Sequence, residues 1–312
     1  MPQPVLVIVG PTAVGKTEIS VDVALEVGGE ILSADSMQVY QGMNIGTAKP
    51  TPAERKGVPH HLIDIVPPDV KFSVAEYQRL AWDTIRDVAS RGYLPILTGG
   101  TGLYVDSVIR GYTFVDLETD WELRRALLRQ IESEGSQAMH RRLAEVDPLT
   151  AQRVHPNDVR RIVRALEVYM STGKPLSDLS GRGSGPSLDC LVIGLTRPRD
   201  VLYKRIDERV DRMLINGLIE ETMGLLRSGY SPDLFSMNSL GYRESVMYLR
   251  GLATLSETRR ILARNTRHYA RRQYTWFRKN KGIIWINLGH STGTQAVVED
   301  IVRRVEGKWP RV

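Results

Sequence analysis

Gly10-Pro11-Thr12-Ala13-Val14-Gly15-Lys16-Thr17 has the residue types and spacing G-x-x-x-x-G-K-[ST]. Glycines let a backbone curl until successive N–H groups point inward at an anion. The N-terminus of a following helix adds partial positive charge. Lys16 then sets a point charge on the outer phosphate, and the Thr17 hydroxyl is a ligand for Mg²⁺. The bland alternative is a structural turn that matches by accident. It loses ground because an apolar run precedes the loop and a helical pattern follows it. Such a loop binds a di- or triphosphate, which does not imply that ATP is hydrolysed.

Downstream lies Ser33-Ala34-Asp35-Ser36-Met37-Gln38-Val39-Tyr40. Ligands of open α/β sheets bind outside the carboxyl ends of the strands. That rule places Asp35 beside the phosphate loop, where a carboxylate either holds Mg²⁺ or acts as a general base. An Asp that only caps a turn is the structural alternative. A later strand ends in Ile96-Leu97-Thr98-Gly99-Gly100-Thr101-Gly102, a hydroxyl where a hydrolytic NTPase would place a second metal-binding Asp. A Thr donor facing phosphate suits a leaving pyrophosphate better than ATP hydrolysis.

A third kind of residue is basic. Arg259 to Lys281 contains nine Arg or Lys and no Asp or Glu. On one helix Arg260, Arg264, Arg267 and Arg271 align, and like charges so spaced call for a neutralising partner. Tyr269, Tyr274, Trp276 and Phe277 are interleaved, which suits RNA through phosphate grip and base stacking. A solvated helix with its aromatics in the core explains the same pattern. Arg160, Arg161 and Arg164 form a second cluster, and two basic elements favour a large polyanion. His60 and His61 read as structural, and no Cys/His spacing suggests zinc.

The elements that must position these residues alternate. Val5–Val9 is a buried parallel strand by pattern, with a helix from about Lys16 to Val27. Ile31–Ala34 and His61–Ile65 read as strands. Ser73–Ser90 has helical spacing, opened by a capping box of Ser73 and Glu76. Leu94–Thr98 is another strand, followed by a short helix. The character changes near Asp116. Trp121–Thr172 reads as helices only, with Leu123, Leu127 and Ile131 on one face and Val159, Ile162, Val163, Leu166 and Met170 on another. Gly181–Pro186 is a flexible breaker, and Cys190–Leu195 resumes the strands. The expected fold is α/β: a P-loop-type parallel sheet core with helices on both faces, residues 1–113 and 188–312, and an inserted helical domain, 114–187.

Composition fits. The 312 residues are 42% hydrophobic and 25% charged, with a net charge of +6. No apolar run approaches the roughly 20 residues of a membrane helix. MPQPVLVIVGP lacks the basic region and cleavage site of a signal peptide. One cysteine, Cys190, rules out an internal disulfide framework and suits the reducing cytoplasm. No segment calls for an obligate protein partner.

These residues carry a resemblance. GPTAVGKT (10–17), DSMQVY (35–40), IGTAKP (45–50), HHLIDI (60–65), TGGTGLY (98–104), RIVRALEVY (161–169), SLGYRE (239–244) and RRQYTWFR (271–278) resemble, in order, the bacterial tRNA dimethylallyltransferases, or tRNA isopentenyltransferases. The resemblance implies a prenyltransferase that moves a dimethylallyl group from dimethylallyl pyrophosphate to the N6 amine of adenosine 37, next to the anticodon. It implies that Gly10, Pro11, Thr12, Ala13, Val14, Gly15, Lys16 and Thr17 hold pyrophosphate together with Arg209. It implies that Asp35 is the general base, with Thr101 and Lys16 at the leaving group and Mg²⁺ on Thr17. The anticodon stem-loop would meet Asp35, Ser36, Met37, Gln38, Arg124, Arg160, Arg161, Arg164, Ser239, Leu240, Gly241, Tyr242 and Arg243. Gln41 departs from the pattern, where a basic residue is expected, and the Cys/His finger of some eukaryotic members is absent. Rival readings are an adenine-nucleotide isopentenyltransferase, a small-molecule P-loop kinase and a non-catalytic RNA-binding protein.

Overall fold

The computed structural model describes residues 2–114, 120–179, 181, 183, 185–289 and 293–310. The expected change of character at Asp116, and Arg182 and Ser184 of the breaker, fall outside them. The chain forms two compact units, Met1–Ile109 with Pro186–Val312, and Arg110–Gly185.

The first unit opens with β1 (Gln3–Val9), α1 (Lys16–Val27), β2 (Gly29–Ala34), α2 (Pro52–Arg55), β3 (His60–His61), α3 (Val74–Ser90), β4 (Leu94–Gly99) and α4 (Gly102–Arg110). The second unit is helical, with α5 (Trp121–Glu134), α6 (Ser136–Val146), α7 (Pro148–Arg153), α8 (Val159–Thr172) and α9 (Leu176–Leu179). The chain then returns as β5 (Leu188–Thr196), α10 (Arg199–Ile215), α11 (Leu218–Arg227), α12 (Tyr242–Leu249), α13 (Leu255–Phe277), β6 (Ile284–Asn287) and α14 (Thr294–Lys308).

Among the described residues six strands form one parallel sheet in the order β3-β2-β4-β1-β5-β6. β1 lies at its centre, and Val5 to Val9 are all fully buried, as a strand covered on both faces requires. Leu6 and Ile8 face a core shared with α1 and α14, through Ile19, Val23, Val298 and Ile301. Val5, Val7 and Val9 face the opposite core, shared with α3, α4 and α13 through Tyr77, Ile85, Val105 and Phe277. A third cluster joins the 37–48 loop to α10 to α13 through Met43, Val210, Tyr242 and Leu262.

The capping box at Ser73 and Glu76 opens α3 as the spacing requires. His61–Ile65 is not a strand beyond His61, because Leu62 (φ +63°) and Asp64 (φ +55°) take left-handed backbone that no ladder accepts. The second unit has its own core. Leu127, Ile162, Val163 and Leu166 are buried in it, with Leu123, Ile131 and Val159 packed against them. Met170, expected on that face, is 59% exposed.

Candidate active site

Register builds the site. Val9 pairs with Gly99, and Gly99 pairs with Ala34. The next residues, Gly10, Gly100 and Asp35, therefore leave three neighbouring strands at the same sheet edge. Gly99 runs so close to Ala34 that a Cβ there would strike its backbone. The close approach lets the Thr101 N–H donate to the Ala34 carbonyl at 3.1 Å.

The phosphate loop bends through left-handed positions at Ala13 (φ +63°) and Gly15 (φ +113°). A non-glycine residue in that region costs on the order of 1 kcal/mol and must be held. Two arginines hold it from outside: Arg205 Nε donates to the Ala13 carbonyl at 3.0 Å, and Arg197 Nε to the Val14 carbonyl at 2.8 Å. With its carbonyls occupied there, the loop keeps N–H groups for an anion. Lys16 Nζ rests on the Gly10 and Pro11 carbonyls at 3.0 and 2.9 Å. Burial, and then the charge of Arg209, bring its pKa down to about 8, against the opposing pull of Asp35. Burial also lowers the pKa of Arg209, with Asp35 opposing it. These three charges thus lie within electrostatic reach of one another. Thr17, at the start of α1, is exposed.

Asp35 Oδ1 accepts from the Met37 N–H at 2.9 Å, and the Ser36 N–H donates to Thr101 Oγ1 at 3.0 Å. The turn carrying the carboxylate is thereby tied to the turn carrying the hydroxyl. A cavity of about 50 Å³ opens beside them, lined by Thr17, Ser33, Asp35, Gln38, His60 and Thr98 among others. His60 therefore belongs to the cavity wall. Its Nδ1 lies 2.8 Å from the Val58 carbonyl, and burial lowers its pKa. His61 is structural, paired with buried Glu30 at 2.7 Å. Gln38 accepts from Ser33 Oγ at 2.8 Å and reaches the Thr47 and Ala48 carbonyls over longer contacts, 3.4 and 3.3 Å. Gln41 bonds to the Asp64 carbonyl at 3.1 Å.

Tyr77, Tyr104 and Tyr269 all feel the Asp35 charge, and burial, the larger cause, raises each phenol's pKa, so they stay protonated. The side chains of Thr101 and Gln273 act the other way on Tyr269 and pull its pKa down. Tyr269 therefore faces the site, not a base-stacking surface. The other aromatics of that stretch also point inward. Phe277 is buried, Trp276 Nε1 donates to Asp106 at 2.8 Å, and the Tyr274 hydroxyl meets Thr196 Oγ1 at 2.8 Å. The neutralising partner expected for this helix is partly internal. Asp207 takes Arg267 and Asp211 takes Arg259, while Arg260, Arg264, Arg271 and Arg272 are exposed.

The expected RNA-contacting residues divide. In Ser239–Arg243 the side chain of Tyr242 is fully buried, and its hydroxyl donates to Glu221 at 2.6 Å. The expected contact through Tyr242 is corrected: its ring anchors the segment in the third cluster. Ser239 Oγ donates to the Ser236 carbonyl at 2.6 Å, Leu240 packs on the same cluster, and Gly241 (φ +94°) makes the turn. Only Arg243 presents an exposed side chain there. In the second unit Arg124 and Arg164 converge on buried Glu167 at 2.7 and 3.1 Å. Arg161 meets Asp158 at 3.4 Å, and Arg160 and Arg161 are exposed. Sequence reasoning assigns no role to Gln273, Arg197 or Arg205, and it reads Tyr269 as a base-stacking ring. Each arrives from a distant part of the chain, and no local spacing marks it. Among the described residues no group of three or more His, Cys, Asp or Glu is placed to hold a metal ion. Also among them, no helix is long and apolar enough to cross a membrane.

The family model of the IPP transferases matches residues 38–280. The tRNA dimethylallyltransferase of Symbiobacterium thermophilum is 53% identical over 311 residues, covering 99% of this chain and 97% of the relative. That of Pelotomaculum thermopropionicum is 50% identical over 306 residues, covering 98% and 97%. The structure is similar to that of the Bacillus halodurans tRNA isopentenylpyrophosphate transferase, with TM-score 0.74, 44% identity and coverage of 98% and 96%. It is also similar to a eukaryotic dimethylallyltransferase acting on tRNA, with TM-score 0.76, 27% identity and coverage of 97% and 80%.

Proposed function

The chain belongs to the IPP transferase family, and we propose that it transfers a dimethylallyl group from dimethylallyl pyrophosphate to N6 of the tRNA adenosine at position 37, 3′ to the anticodon. The observation that carries this reading is the register of three strand ends. It sets a phosphate loop, a carboxylate and a threonine hydroxyl at one edge of the sheet. A hydroxyl, not a second metal-binding carboxylate, follows β4, which suits a pyrophosphate leaving group.

The bond from N6 to the allylic carbon forms as the bond from that carbon to the pyrophosphate oxygen breaks. The exocyclic amine is a weak nucleophile because its lone pair is shared with the ring, so alignment and proton removal decide the rate. Asp35 takes the N6 proton. Lys16, Arg209, the Thr101 hydroxyl and the loop N–H groups meet the charge that grows on pyrophosphate. Thr17 and Asp35 line one cavity and offer hard oxygen donors, which fits Mg²⁺ held jointly with substrate phosphates. When bound, the ion adds positive charge at the leaving group. Ser36, Met37 and Gln38 frame the adenine, and the long Gln38 contacts are the ones it can exchange for a base edge. The adenine lies in a loop, so its extrusion costs less than from a duplex. Arg124, Arg160, Arg161, Arg164 and Arg243 grip anticodon stem-loop phosphates, and the enzyme works in the cytoplasm. The test is to incubate it with dimethylallyl pyrophosphate and unmodified tRNA and identify the nucleosides by mass. A prenylated adenosine at position 37 is expected, and tRNA that returns unmodified contradicts the reading.

A further inference from the structure

We infer that Gln273 is a positioning residue for the transfer: its amide fixes the spacing between the phosphate loop and the turn that carries Thr101. The inference rests on the reading of this edge as a prenyl-transfer site. Gln273 lies on α13 and is 5% exposed. Its Oε1 accepts from the Thr12 N–H at 2.8 Å, and its Nε2 donates to the Gly100 carbonyl at 2.9 Å. Both partners are backbone atoms of loops that leave neighbouring strands, one bonded to the amide oxygen and the other to the amide nitrogen. Their polarity fixes the amide, because an N–H only donates and a carbonyl only accepts. The phenol of Tyr269, one turn earlier on the same helix, feels the side chains of both Gln273 and Thr101, which pull its pKa down against the larger effect of burial. Gly100, whose carbonyl the amide holds, directly precedes Thr101, so the brace acts on the turn that carries the hydroxyl proposed to face the leaving group. A Cβ on Gly100 would collide with the Gln273 amide, so the turn approaches as closely as glycine allows.

Two consequences follow. The Thr12 N–H is engaged by the protein and not by the anion, so the later loop N–H groups do the binding. The Gly100 carbonyl, an oxygen that would repel pyrophosphate, is held on Nε2. Without the amide the two loops lose their common strut, and misplacement on the order of 1 Å costs up to about a hundredfold in rate.

The experiment measures single-turnover transfer to tRNA by the full-length enzyme, with tRNA affinity and thermal stability measured in parallel. Gln273→Met keeps the length and removes both hydrogen bonds. Its rate should fall about 10- to 100-fold, with tRNA affinity unchanged. Gln273→Glu supplies the second readout. As a neutral acid its O–H replaces the Nε2 donor to Gly100, while its carbonyl still accepts from Thr12. As a carboxylate it repels Gly100. Relative to the native enzyme, its activity should therefore rise as pH falls, although a carboxylate base alone makes the native rate fall in that direction. A folded Gln273→Met within a factor of two of the native rate overturns the inference. So does a Gln273→Glu profile parallel to the native one, or a rate loss matched by lost tRNA affinity. If Gln273→Met does not fold, the Gln273→Glu profile decides. Failure of the underlying reading looks different: the native enzyme itself leaves tRNA unmodified.

Discussion

Asp35 follows the buried end of β2, and its turn is fixed by the Met37 N–H and by Thr101 through Ser36. A carboxylate so placed is aligned before substrate arrives. Asp35→Ala should slow single-turnover transfer by about 10²–10⁴-fold, with far less change in binding of dimethylallyl pyrophosphate. A rate within a factor of two of native would remove Asp35 from the mechanism. Lys16 gives a pH dependence of definite sign. Burial and Arg209 bring its pKa down to about 8, so as pH rises through that value the free enzyme loses the charge that meets phosphate. Donor binding above it must recover a proton. The KM for dimethylallyl pyrophosphate should therefore rise between about pH 7 and 9 in the native enzyme and stay flat in Lys16→Arg, whose guanidinium keeps its proton. A flat native profile contradicts the assignment. For stability the sign is opposite. Between about 8 and the ordinary 10.5 the unfolded chain holds a proton that the folded chain has released, so rising pH favours folding across that window. The contiguous motif residues were legible from sequence because loop, strand end and turn each carry local spacing. Arg209 came only through resemblance. Gln273 and Tyr269 were not legible as site residues, because what places them is a meeting with Thr12, Gly100 and Thr101, more than 160 residues away in the chain.

Elements differ in how well pattern alone reveals them. β1 and α1 were readable because a strand buried on both faces gives an unbroken apolar run, and the loop motif marks where the helix begins. The strand expected at His61–Ile65 failed on backbone angles that residue types do not disclose. α13 has the basic stretch on its outer side, but its aromatics pack inward, a choice that only tertiary contacts make. In the Ser239–Arg243 segment, Tyr242→Phe should cost about 1 kcal/mol through the lost hydrogen bond to Glu221. It should leave tRNA affinity unchanged, and a selective loss of tRNA binding would restore the corrected contact. The α8 arginines test the RNA grip. Each phosphate contact contributes close to one unit to the slope of log affinity against log salt, so replacing Arg160, Arg161 and Arg164 with Ala should flatten that slope by about two to three units. An unchanged slope in the folded variant leaves the exposed arginines of α13 as the basic surface to examine.

At the scale of the molecule, each unit encloses its own apolar core, and the residues proposed to bind pyrophosphate lie wholly in the sheet-bearing one. The net charge of +6 and the exposed arginines of α8 and α13 suit the polyanionic acceptor proposed above, which a free nucleotide is not. On the proposed reading one enzyme moves an allyl group from its pyrophosphate to a tRNA base and releases the pyrophosphate. The most direct measurement offers the native enzyme dimethylallyl pyrophosphate labelled in the allyl group, with unmodified tRNA, AMP and ATP present together at equal concentration. Label should pass to tRNA, and no phosphate should leave ATP. Label accumulating on AMP or ATP would make the chain a nucleotide isopentenyltransferase, steady ATP turnover would make it a kinase, and either result would contradict the account.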